Sequence, residues 1–124
     1  MQEAAQAYAR TAQKTAGPRE LEAQLLLRAA TQLQAVADGT LTDNADVLTA
    51  IRYNRKLWTI LVSSATAESN PLPAAIKQSV GKLGVFILSH SLRLEMQPAR
   101  ERVHVLVNIN REVAAGLRSA APAA

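Results

Sequence analysis

Residues 50–62 read AIRYNRKLWTILV. Wound at 3.6 residues per turn together with their flanks, they place Val47, Ile51, Asn54, Trp58, Leu61, Val62 and Ala65 on one face and spread Arg52, Arg55, Lys56 and Thr59 over the remainder. The stretch predicts an amphipathic helix that carries the only Trp, a Tyr, an Asn inside its apolar stripe and three basic side chains. Aromatic residues are scarce, so Tyr53, Trp58 and Phe86 are expected to anchor a core made otherwise of Leu, Val, Ile and Ala. The other helices are expected to pack around this one.

Working upstream, Thr42 or Asp43 can accept from the free amides at the start of this helix, and Asp46 adds a charge that its dipole favours. Gly39 ends the helix before it, which starts at Pro18 and presents Leu21, Leu25, Arg28, Ala29, Gln32, Leu33 and Val36 at helical spacing, with Leu26, Ala30 and Ala37 widening the face. Gly17 and Pro18 predict a break ahead of it. A first, Ala-rich helix over 2–15 has Tyr8 as its one large group and is poorly anchored.

Downstream, Asn70, Pro71, Leu72 and Pro73 form a rigid turn in which Asn70 is free to cap. A helix over about 74–96 follows, with Ile76, Val80, Leu83, Ile87 and Leu94 facing inward. Gly81 and Gly84 predict a close approach of Trp58 or of the last helix. Pro98 opens that last helix, whose buried face is Val103, Leu106, Val107, Asn110, Val113, Ala114 and Leu117; Gly116 marks the start of its end. No stretch alternates with a period of two. The expected fold is all-α, a single-domain bundle of four to five helices over 1–118 with a flexible tail over 119–124.

With 124 residues the chain suffices for one unstapled core, and without Cys neither disulfides nor thiolate chemistry enter. The opening residues are too polar for a signal peptide and no apolar run approaches the length of a membrane span, so a cytoplasmic location without membrane insertion is expected. Residues 1–50 hold 4 Lys/Arg against 6 Asp/Glu, and residues 51–124 hold 10 against 4. The second half is therefore basic, which suits an acidic partner or nucleic acid.

Signatures of an enzyme are missing. His90 and His104 lie apart, and Glu101 to His104 is one i, i+3 pair, far short of a metal site. The glycines lack the strand and the Lys/Ser combination of a phosphate loop, and no nucleophile stands beside a base. The reading is a protein with no catalytic residues, no metal, no cofactor and no small-molecule substrate. Asn54 and Asn110, each inside an apolar stripe, must bond to something if buried, and the expectation is that their two helices pack together and that the asparagines satisfy each other or nearby backbone and so fix register.

Residues Arg52 through Ile60 with Asn54, Leu57 and Trp58, the turn Asn70-Pro71-Leu72-Pro73, Leu83 to Ile87 around Gly84, and Asn108 through Leu117 with Asn110, Arg111 and Gly116 together resemble the flagellar protein FlaF family of alphaproteobacteria. Leu21 to Gln34 resembles that family's second helix. The resemblance covers nearly the whole chain in order. It implies a small helical cytoplasmic regulator of flagellin production that works with the partner FlbT on flagellin synthesis, stability or delivery for export. On that basis the expected role is a flagellin-binding chaperone or export adaptor, with Arg52, Arg55, Lys56 and Arg111 engaging carboxylates at the rim of a groove bordered by the first and last helices. The alternative is a post-transcriptional regulator acting on flagellin mRNA directly or through FlbT.

Overall fold

The computed structural model describes the backbone of residues 2–119 and the side chains of residues 19–119. Four helices make it up: α1 (Gln2–Ala37), α2 (Asn44–Ala65), α3 (Ala74–Met96) and α4 (Arg100–Ser119). The described residues include no strand. The two helices expected on either side of Gly17 and Pro18 are one. A proline removes a single i→i−4 bond, at roughly 3 kcal/mol, and its Ala, Gln, Lys, Arg, Glu and Leu neighbours favour helix enough to carry the chain through. The expected tail lies outside the described residues apart from Ser119, which ends α4, and the anchoring expected of Tyr8 lies outside the described side chains.

Each cap has a readable cause. Gly39, the one described residue with positive φ (76°), turns the chain out of α1 while the amides of Gly39 and Thr40 donate to Val36 and Ala35. A side chain there would also strike the guanidinium of Arg100. Asp43 caps α2 by accepting from the Ala45 amide at 2.9 Å, with Asp46 in the first turn. Asn70 caps no helix N-terminus. Its side chain donates to the Ser64 carbonyl at the end of α2 (3.0 Å) and accepts from the Leu72 amide (2.9 Å), while Pro73 opens α3 without a side-chain cap. Arg19 of α1 donates to the Pro71 carbonyl and Lys77 of α3 to that of Ala67, so the turn is tied to two helices.

The helices pack in a ring: α1 lies chiefly along α4, α2 along α3, and the α1–α2 and α3–α4 seams are slighter. α1 and α3 therefore face each other across one diagonal, and α2 and α4 across the other. Into the middle go Ala23, Leu26, Ala30 and Leu33 of α1, Ile51, Trp58 and Leu61 of α2, Val80, Ile87 and Leu94 of α3, and the seven residues expected of α4. Three expectations about size fail. Leu21, Tyr53 and Phe86 are exposed, because each sits more than 90° from the centre of its helix's buried face, and among the described residues Trp58 alone fills the aromatic share of the core. Gly84 does meet a close neighbour, but it is Val62 of α2, and nothing lies within 4 Å of a side chain built at Gly81.

Candidate functional site

Two features exceed what a plain bundle requires. The first is a polar knot at its centre. The indole of Trp58 donates to Asn110 Oδ1 at 2.8 Å, and Asn110 Nδ2 donates to Asn54 Oδ1 at 2.7 Å and to the Leu26 carbonyl at 3.2 Å. Trp58, Asn54 and Asn110 are all fully buried. Because an indole can only donate, it dictates which way the Asn110 amide points, and that in turn makes Asn54 the acceptor. The price is that Asn54 Nδ2 stays buried with no partner among the described residues. The expected bond between the two asparagines is present, and it crosses the diagonal between α2 and α4, drawing α1 in as well.

The second feature is the outside of α3. Its inner face buries Val80, Gly84, Ile87, Ser91 and Leu94. On the outer side of the helix an apolar strip runs beside the exposed polar line of Gln78, Lys82, Ser89 and Arg93: Val85 is 72% exposed, Leu92 51% and Met96 87%, with Phe86 at 43% across that line. Gly81, Val85, Leu88 and Leu92 recur at spacings of four, three and four, the pattern of a seam that takes another helix, and Met96 follows one turn further on. Phe86 stacks on His90 with centroids 5.2 Å apart, and His90 Nε2 meets the Arg102 carbonyl at 2.8 Å. Beyond Met96, a cleft of about 560 Å³ is lined by His90, Arg93, Leu94, Met96, Gln97 and Arg102.

The exposed charges that α3 itself sets beside this face have one sign. Lys82 and Arg93 are exposed beside the strip, and α3's single carboxylate, Glu95, turns back to α2. Glu95 bonds Arg55 at 2.7 Å and Arg52 at 3.0 Å. Burial alone would push its carboxyl up, yet the hydrogen bonds and charges of Arg55 and Arg52 hold it below the ordinary value. Elsewhere, the hydrogen bond from Arg118 in the last turn of α4 lowers the pKa of Glu20 on α1. Burial raises that of Glu22, which accepts from Ser64.

The four cations expected at one rim do not converge. Arg52 and Arg55 are spent on the α2–α3 contact, and Lys56 is exposed on the outside of α2. Arg111, exposed on α4, shares a face with Arg118, seven residues on, and so borders α1. Leu57 is half-buried against the core, Leu72 is buried between exposed Pro71 and Pro73, Asn108 is exposed, and Gly116 is half-buried with open space beside it. The seam on α3 was missed because Ile76, Val80, Leu83, Ile87 and Leu94 already made a satisfactory inner face. The surplus of Val85, Leu88, Leu92 and Met96 was the signal.

The described residues include no group of three or more His, Cys, Asp or Glu placed to hold a metal ion, and no described helix is long and apolar enough to cross a membrane. A sequence profile of the family described as flagellar protein FlaF matches residues 4–117. Searches of curated proteins and of solved structures return no match.

Proposed function

The chain belongs to the flagellar protein FlaF family, and from that premise, which implies a role in flagellar biogenesis, we propose that it is a cytoplasmic flagellin-binding chaperone or export adaptor. The observation that carries the reading is the uncovered apolar strip of α3. A contiguous apolar face of this kind on a small protein marks an interaction site. The terminal segments of flagellin are amphipathic and unfolded before assembly, and an exposed helical seam receives such a segment as a helix. The protein performs no chemistry in this role: it covers an aggregation-prone face until export and releases it.

Mixing the protein with unassembled flagellin at micromolar concentration and resolving the mixture by size exclusion with light scattering tests this. A co-eluting complex is expected, and two independent peaks overturn the reading. The excess of basic residues over 51–124 favours a second one, regulation of flagellin translation through its mRNA or through FlbT. A gel shift on the flagellin leader RNA that is tight without FlbT and weakens steeply with salt would establish it instead.

A further inference from the structure

We infer that the outer face of α3 seats one acidic amphipathic helix, laid along Val85, Leu88, Leu92 and Met96 as a fifth helix of the bundle, with its carboxylates against Lys82, Arg93 and Arg102. Its biological occupant, a helix of flagellin, rests on the flagellin-binding reading; the chemistry of the face rests on the structure. The 4-3-4 spacing from Gly81 to Leu92 is the a/d periodicity with which one helix receives another, and Met96 carries the strip one turn further to the end of α3. The tethers from α3 to its neighbours leave sideways, Glu95 to α2, His90 to α4 and Lys77 to the turn before it, while Arg93 donates to Ser89 within α3 beside the strip. The strip itself carries none.

The sign of the rim selects the occupant. Lys82 and Arg93 flank the strip, and Arg93 returns with Arg102 and His90 in the cleft next to Met96, so an occupant meets cations along one side and at one end. Glu95 offers no counterweight, since Arg52 and Arg55 already hold it. A second copy of this chain would bring the same cations to the same rim. One strip of four side chains also offers well under the ~800 Å² per partner typical of stable complexes. Charge complementarity therefore favours a carboxylate-bearing helix, bound reversibly and oriented by the cleft end.

Three variants at exposed positions leave the bundle intact, as far-UV circular dichroism and urea midpoints will verify: Leu92→Glu/Met96→Glu on the strip, Lys82→Glu/Arg93→Glu on the rim, and Ile60→Glu as a control. Ile60 lies on α2 four residues before Ser64, which faces α1. For binding of unassembled flagellin, the strip variant is expected to lose about 100-fold and the control to lose nothing. The rim variant should lose about tenfold at low salt and less at high salt. Binding that survives the strip variant overturns the seam while leaving the flagellin reading standing. If the wild-type protein binds no flagellin, that reading falls, and two synthetic helices with leucines at the same spacing decide the seam: one flanked by glutamates, one by lysines. Binding only the acidic helix upholds the inference; binding neither, or both alike, overturns it. So does a wild-type dimer in sedimentation equilibrium that the strip variant dissociates.

Discussion

Removing the amide of Asn110 takes away three hydrogen bonds at the centre of the bundle at once. In Asn110→Ala the Trp58 N–H loses its acceptor and the Asn54 Oδ1 loses its donor, both fully buried, while Asn54 Nδ2 is unpaired already. Each newly orphaned group costs about 1–3 kcal/mol, so the expected loss is about 4 kcal/mol, with the cavity adding to it. A domain of this size has about 5–15 kcal/mol in all. At a urea slope of about 2 kcal/mol per molar, the midpoint should fall by about 2 M. Trp58 reports the transition by its own fluorescence. Replacing the knot wholesale with Asn54→Leu, Trp58→Phe and Asn110→Leu leaves no orphan, so the triple variant should be more stable than Asn110→Ala. A loss below about 1 kcal/mol in Asn110→Ala, or a triple variant less stable than the single one, would refute the account.

The two interior glycines of α3 should respond with opposite signs: Gly81→Ala gains about 0.5–1 kcal/mol because nothing crowds it, and Gly84→Ala loses stability because the new methyl meets Val62, both read from thermal melts. Glu95 has a folded pKa below its ordinary 4.5, so its contribution is present above that value and fades as pH falls through the lower one. Glu95→Gln should therefore flatten the acid limb of the stability curve. Glu22 has the opposite sign: its raised pKa means that the charged form weakens the fold once pH exceeds the folded value. Glu22→Gln should raise the melting temperature at pH 7, and the gain should vanish below about pH 4.

Much of the fold was legible because its signals are local. The α4 stripe is recovered residue for residue, since 3.6-residue periodicity over 20 residues leaves little choice. The caps at Gly39 and Asp43 follow from backbone and side-chain chemistry at single positions. The Asn54–Asn110 bond was legible for a different reason: a buried amide has to find a partner, and few were on offer. What failed depends on assembly. Gly17–Pro18 has the residues of a helix break, and only the chain's overall helical preference overrides it. Arg52 and Arg55 read as free cations because Glu95, at least 40 residues away, is invisible to local pattern. Which large side chains stay out of the core is likewise set by which face the ring of helices closes on.

That division of labour bears on how the protein can take a partner. The knot draws on α1 through Leu26, on α2 through Asn54 and Trp58, and on α4 through Asn110, and no atom of α3 enters it. α3 is held mainly by α2, through Val62 against Gly84 and through Glu95, and only lightly by α4. The register of three helices is thus fixed without the fourth, and the helix that carries the uncovered apolar face is the one that can shift without breaking buried hydrogen bonds. Local opening follows contact density, so amides of α3 should exchange with deuterium faster than those of α1 from Ala23 to Val36 and of α4. An occupant on Val85, Leu92 and Met96 should slow α3 selectively. Uniform protection across α3 and α4 in the free protein would show that α3 is locked as firmly as the rest, and the separation between a fixed three-helix frame and an adjustable docking helix would fall.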